Sequence, residues 1–201
     1  MTQHQQPARP FKAAAVNVNG LADQQKRREF FASLQEQRCA VTLLAETHCT
    51  SDDQAQHWVQ EGAGPGRPWQ GTAFWAHQAE QGGRAAGGVG LLLADSICGE
   101  TAQPVVEHIS PSGRVLKVSW LTPWGQRMAA VAVYAPCTAQ DRPDFFLGEY
   151  LDALCTGTQQ GVIVGGDFNC VMRPEDVLPA PGQQAAASGR LQGGEELKVA
   201  N

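Results

Sequence analysis

The segment Val162-Ile163-Val164-Gly165-Gly166-Asp167-Phe168-Asn169-Cys170 organises the reading of the chain. Three consecutive β-branched residues read as a fully buried strand. Two glycines then allow a tight turn and a close approach of backbone to a ligand. A carboxylate and an amide follow, two residues apart. In extended geometry Asp167 and Asn169 point the same way, and Phe168 points oppositely, into the core.

Three other places repeat this pattern of a strand giving way to polar groups. A strand over 11–18 ends in Asn17-Val18-Asn19-Gly20. A second buried strand over 41–45 ends at Glu46-Thr47-His48, and the interval between the two fits a β-α-β unit with parallel strands. A strand over 128–134 closes on Tyr134-Ala135-Pro136. Asp23 caps the helix between the first two strands, in which Phe30, Phe31 and Leu34 form an apolar stripe. Its charged run Lys26-Arg27-Arg28-Glu29 reads as solvated surface.

Elsewhere the pattern predicts a short helix over 52–61, a Gly/Pro loop over 62–68, a strand over 71–77 and a glycine-dense loop over 78–88. Strands over 89–94, 105–109, 115–121 and 128–134 follow at roughly ten-residue spacing, which points to an antiparallel meander. A helix over 141–154 precedes the opening segment. Residues 1–9 read as a disordered N-terminus, 10–177 as one partial domain, and 178–201 as a tail rich in Pro, Gly, Ala and Gln. The order of elements is mixed α/β, and two sheets packed face to face with helices outside accommodate it.

Composition bounds the function. The formal net charge of −5 argues against a protein that coats nucleic acid through a general basic field. It leaves room for an enzyme acting on phosphodiesters, because a carboxylate-lined metal site is acidic until the cation binds. The six cysteines show no CxxC spacing and read as reduced thiols rather than zinc ligands. With neither a secretory signal nor an apolar run long enough to span a bilayer, the chain is expected inside the cell, in nucleus or cytoplasm, and not in a membrane.

The strand-end residues form a coherent chemical set if their strands sit side by side. Glu46 is a hard oxygen ligand suited to Mg²⁺, which keeps waters and takes one or two protein carboxylates. Asn17 and Asn169 fix a phosphate or a water without adding charge. Tyr134 donates to a non-bridging oxygen, and Asp167 orients or deprotonates water. That set suits metal-assisted hydrolysis of a phosphoester. Each residue alone has a plainer explanation: a solvated Glu, a packing Tyr, an Asn-Gly turn. The plain explanation must, however, account for four coincident strand ends.

Asn17-Val18-Asn19-Gly20-Leu21, Leu44-Ala45-Glu46-Thr47-His48, Tyr134-Ala135-Pro136 and Gly165-Gly166-Asp167-Phe168-Asn169 resemble, in order and spacing, the endonuclease/exonuclease/phosphatase superfamily. The likeness is greatest to the endonuclease domains of LINE-type (non-LTR) retrotransposons, with Gly87-Gly88-Val89 at the place of their "GGV" strand. It covers roughly 11–176 and implies a deoxyribonuclease I-like αββα two-sheet sandwich, C-terminally incomplete. By motif it implies that Glu46 binds metal beside Asn17, that Tyr134 contacts the scissile phosphate, and that Asp167 and Asn169 handle water and phosphate. Asn19 and His48 join Tyr134 and Asn169 as substrate contacts. The implied cofactor is Mg²⁺ or Mn²⁺ and the implied substrate DNA. The implied protein is monomeric, with a reverse transcriptase in the intact gene product.

The resemblance also shows departures. Asn19 stands where apurinic endonucleases have Asp, and Ala45 where Gln is usual. The superfamily's closing Ser-Asp-His motif has no counterpart, since no histidine follows His108. A missing proton-transfer group commonly costs about 10²–10⁴ in rate, so weak or no activity is expected of this chain. Missing strands are also expected to leave a sheet edge and apolar surface uncovered. Two alternatives stay open: a phosphatase of small phosphoesters such as inositol phosphates, and a non-catalytic remnant.

Overall fold

The structure is a computed structural model and describes residues 10–78, 87–98, 103–157 and 159–170. The readings of 1–9 as disordered and of 178–201 as a tail, and most of the 78–88 loop, lie outside the described residues, as do 171–177 of the partial domain. Contacts divide the chain into Met1–Asn169 and Cys170–Asn201. Of the second unit only Cys170 is described, and the account below concerns the first.

Two four-stranded sheets form the centre. The first has the order β1 (Lys12–Asn17), β2 (Cys39–Ala45), β4 (Val89–Ala94), β3 (Gly71–Ala76). The second has β5 (Val105–Ile109), β6 (Val115–Leu121), β7 (Arg127–Tyr134), β8 (Gly161–Asp167). β1 and β2 are parallel, as are β7 and β8, and all other pairings are antiparallel. Leu43, Leu91, Leu93, Leu116, Val118 and Trp120 fill the space between the sheets. The first sheet buries Leu44 and Leu92 on its outer face against Phe31 and Leu34 of α1 (Gln24–Gln37) and Trp58 of α2 (Asp52–Glu61). The second buries Val131 and Val133 against Phe145 of α3 (Arg142–Phe145) and Ala153 of α4 (Leu151–Cys155). The layers are therefore helix, sheet, sheet, helix, the expected αββα sandwich. Every residue of β2 is buried, because a central strand covered on both faces needs an unbroken apolar run.

Local chemistry sets the helix ends. The Asp23 side chain accepts from the Lys26 N–H at 2.7 Å, the expected cap of α1. Ser51 caps α2 in the same way, accepting from Gln54. Phe31 and Leu34 turn inward as expected, but Arg27 joins them and corrects the reading of a solvated charge run. It is 4 % exposed, donates to Glu61 and to the Leu21 and Ala22 carbonyls, and lies over the Trp58 ring. Paired and fully hydrogen-bonded, the guanidinium tolerates burial.

Four further expectations are corrected. The strands over 89–94, 105–109, 115–121 and 128–134 do not form one meander: β4 belongs to the first sheet, between β2 and β3, and only β5, β6 and β7 run as a meander. Regular spacing cannot tell a turn within a sheet from a crossing to another. The helix over 141–154 is present but not α throughout, because a π-helical stretch at Phe146–Tyr150 joins α3 to α4 without a break. Val162 and Val164 are 44 % and 37 % exposed, whereas a fully buried strand was expected. Among the described strands β8 is an edge, and its helix-side face lies beyond the cover of α3 and α4; Ile163, on the opposite face, packs on the core. β1 is likewise an edge with alternating exposure rather than a buried strand.

Candidate active site at the ends of two parallel strand pairs

The two parallel pairs bring four strand ends to one rim. Asn17 is in register with Ala45, the residue before Glu46, and Tyr134 with Asp167. Across the sandwich β1 contacts β8 and β2 contacts β7. Asn17 therefore stands over Asp167, and Glu46 over Tyr134.

The first of these pairs is joined directly. Asn17 Nδ2 donates to Asp167 Oδ2 at 2.7 Å, while Asn17 Oδ1 accepts from the Asn19 N–H at 3.0 Å. Asp167 Oδ1 accepts from the Asn169 N–H at 2.8 Å. Asn169 Nδ2 donates to the Ala135 carbonyl at 2.7 Å, which ties the end of β8 back to the end of β7. Phe168 points the other way, as alternation requires, and stacks on Phe146 at 6.4 Å between centroids. The side chains of Asn17, Asp167 and Asn169 are thus fixed by one another and by the packing behind them.

The second pair is electrostatic. The Tyr134 hydroxyl lies 3.8 Å from Cys137 Sγ and near the Glu46 carboxylate. Burial first, then the hydrogen bond to Cys137 and the nearby Glu46 carboxylate, push the phenol well above its ordinary value of 10. Tyr134 therefore stays a protonated donor over the whole working range. Arg114 packs on it from behind: its guanidinium carbon is 4.9 Å from the ring centroid and its Nη1 donates to the Tyr134 carbonyl at 3.2 Å. His48 Nε2 is 3.9 Å from Glu46 Oε2, so His48 lines the same rim.

Backbone geometry holds this rim together. Asn19, Glu46, His48 and Asn169 all adopt positive φ, between 43° and 55°. Such a concentration in non-glycine residues marks a built site rather than ordinary loops. The Glu46 and Thr47 carbonyls accept from Gly20 and Leu21 N–H, and the Thr47 and His48 N–H groups donate to Gly88 and Gly87. Glycine is required at position 166, where φ is 143° and a Cβ would sit 1.9 Å from the Val133 carbonyl oxygen.

The donor set fits a hard divalent cation that keeps most of its water. Among the described residues no group of three His, Cys, Asp or Glu makes a ready protein cage. Glu46 and Asp167 offer two carboxylates on the rim, and the Asn17 oxygen has a second lone pair. All six cysteines are free thiols, three of them exposed, so none is tied up in a disulfide. Among the described residues no helix is long and apolar enough to cross a membrane.

Every site residue anticipated from the sequence lies along this rim: Asn17, Asn19, Glu46, His48, Tyr134, Asp167 and Asn169. Arg114 and Cys137 were not anticipated. Arg114 reaches Tyr134 through the pairing of β6 with β7, which no local motif records. Cys137 follows directly on Ala135-Pro136, and the turn there was the one available signal.

Comparison with known proteins agrees with the fold. The family model described as "Endonuclease/Exonuclease/phosphatase family" matches residues 14–194. The chain is 27% identical over 165 residues to the Transposon TX1 uncharacterized 149 kDa protein of Xenopus laevis, covering 81% of this chain and 11% of that protein. The chain thus spans about a tenth of the length of this curated relative. Among solved structures it resembles the AP endonuclease LMAP from Leishmania major, with TM-score 0.58, 16% identity, 85% of this chain and 57% of that one covered. It also resembles the endonuclease domain of TRAS1, a telomere-specific non-LTR retrotransposon, with TM-score 0.51, 12% identity, 82% and 63% covered. The human Nocturnin catalytic domain matches with TM-score 0.52, 13% identity, 81% and 65% covered. At these identities the structural likenesses establish the fold.

Proposed function

The chain belongs to the endonuclease/exonuclease/phosphatase family, and on that premise we propose that its rim binds a divalent cation and a DNA phosphodiester and hydrolyses the latter. The observation that carries this reading is the hydrogen bond from Asn17 to Asp167, which fixes a carboxylate from one sheet beside the Glu46–Tyr134 pair. Mg²⁺ or Mn²⁺ would be held by Glu46 with Asn17 beside it, and would supply Lewis acidity toward a phosphoryl oxygen. The chain's own groups do the rest. The Tyr134 hydroxyl donates to a non-bridging oxygen, and its raised pKa keeps that proton in place. Asp167, oriented by Asn17 and the Asn169 N–H, aligns water and takes its proton. Asn169, anchored on Ala135, positions the phosphate, and Asn19 and His48 line the approach.

DNA is favoured over a small phosphoester by similarity to a transposon protein and by the likeness to a retrotransposon endonuclease domain. The same similarity supports a place within a larger protein, and a reverse transcriptase in that protein is part of the proposal. The test is nicking of supercoiled plasmid with Mg²⁺, with Glu46→Ala and EDTA as controls and metal-dependent melting as a second readout. Weak nicking that needs both Glu46 and the cation is the expected result, weak because no histidine follows His108 to complete proton transfer. Nicking that survives Glu46→Ala, or a chain that neither cuts DNA nor shifts its melting temperature with Mg²⁺, overturns the reading.

A further inference from the structure

At the opposite end of the first sheet lies a cleft of about 460 Å³. Cys39, the first residue of β2, and Ala94, the last of β4, form its inner wall. Glu46 follows the other end of β2, so at about 3.3 Å per residue the cleft is roughly 20 Å from the catalytic rim. Its size is that of a small-molecule site.

The cleft has an apolar floor and a cationic mouth. Leu34, Pro68 and Trp69 supply the apolar surface, with Trp69 only 7 % exposed and its ring 6.2 Å from Phe31. Trp69 Nε1 is buried and has no hydrogen-bond partner, which leaves a donor unsatisfied in the floor. Arg38 and Arg67 both line the opening, and neither forms an ion pair among the described residues. None of the described lining residues is acidic, although the chain as a whole carries a net charge of −5. Two unneutralised guanidiniums at one opening are an exception to the prevailing charge and call for a counter-charge.

The wall is also held in place. Gln35 Nε2 donates to the Pro68 carbonyl at 3.0 Å, and its Oε1 accepts from Arg67 Nη2 at 3.4 Å. This ties the loop before β3 to the last turn of α1. Arg38 caps that helix with φ 55°, and its N–H donates to the Gln35 carbonyl at 3.2 Å. The backbone of both arginines is thus set before any ligand arrives, which reduces the ordering cost of binding.

We infer that this cleft binds a small organic anion: an apolar ring lies on Leu34, Pro68 and Trp69, and an oxyanion sits between Arg38 and Arg67. Guanidiniums suit such a group because they offer planar paired donors to carboxylate, sulfonate or phosphate.

The probe is naphthalenesulfonate, titrated calorimetrically into the full chain, with the neutral naphthalenesulfonamide as its matched control. The sulfonate is expected to bind saturably, about tenfold more tightly than the sulfonamide, and to weaken with added salt. Arg38→Ala/Arg67→Ala should lose about tenfold in sulfonate affinity and leave sulfonamide affinity unchanged. Arg38→Lys/Arg67→Lys should keep part of the preference, and it guards against misfolding of the alanine variant. Glu46→Ala should bind the probe as wild type does, which separates this cleft from the rim. Equal affinity for the two probes, no saturable binding, or an unchanged affinity in the alanine variant overturns the inference.

Discussion

Asn17 and Asp167, 150 residues apart in the chain, share a 2.7 Å hydrogen bond between two different sheets. An amide facing a carboxylate is neutral facing negative, and replacing Asn17 with Asp makes both negative. Two like charges at this distance repel, so the substitution destabilises the fold wherever both carboxylates are ionised. Asn17→Asp should melt close to wild type at low pH and lose about 1 kcal/mol near neutrality, a modest figure because Asn17 is exposed. Asn17→Ala should show no such pH-dependent difference. Paired thermal melts across that range decide it.

The Tyr134 hydroxyl is the rim's neutral donor. Tyr134→Phe keeps the ring on Arg114 and removes only the oxygen, so the fold should stay intact. DNA hydrolysis should fall by about 10²–10³, the usual effect of removing one donor to a developing charge. Because the phenol's pKa is raised above 10, the wild-type rate should show no alkaline loss from this group at pH 9. A rate profile that falls there and is restored in Tyr134→Phe would contradict the assignment.

On the proposed function, Arg114 would act through Tyr134 as a positioning residue. Arg114→Met removes the cation 4.9 Å from the ring and the donor to the Tyr134 carbonyl. The expectation is a fall in kcat of about tenfold with KM little changed, partly rescued by Arg114→Lys. A rise in KM alone would instead make Arg114 a substrate contact.

Glu61 ties α2 to α1 by accepting from Arg27 and Arg28. The Arg27 hydrogen bond, followed by those from Arg28 and Gln24, outweighs burial and lowers the carboxyl from 4.5 to about 2. A depressed carboxylate pKa contributes stability above its unfolded value and loses it as pH falls toward the folded one. Wild-type stability should therefore drop between about pH 5 and pH 2 more steeply than that of Glu61→Gln. Urea midpoints at successive pH values test this, and parallel curves would refute it.

Gly166→Ala places a Cβ against the Val133 carbonyl in a backbone conformation that alanine resists. The loss should be about 3 kcal/mol or more, read as a lowered urea midpoint. Gly125→Ala, with open space around it but φ of 84°, should show the smaller loss due to backbone strain alone.

Most of the rim was legible in the sequence, because alternation along a strand fixes direction without any tertiary knowledge. Asp167 and Asn169 had to share a side, and Phe168 had to take the other. What stayed hidden were relations set by strand neighbours. β3 and β4 pair across a long loop, so spacing alone grouped β4 with the wrong sheet. Val162 and Val164 carry the composition of an interior strand, but composition does not record which strand lies at an edge. Arg27 looked like surface because its partner Glu61 lies 34 residues on, at the end of another helix.

The parallel pairs β1–β2 and β7–β8 come from opposite ends of the described residues, and the rim lies where they meet. Each half contributes ligands or donors, and neither half holds the full complement. During synthesis, a ribosome-bound fragment that stops short of residue 169 consequently lacks part of the rim, however well its first sheet has formed. Long-range closure of this kind is also slow, so the rim is completed late.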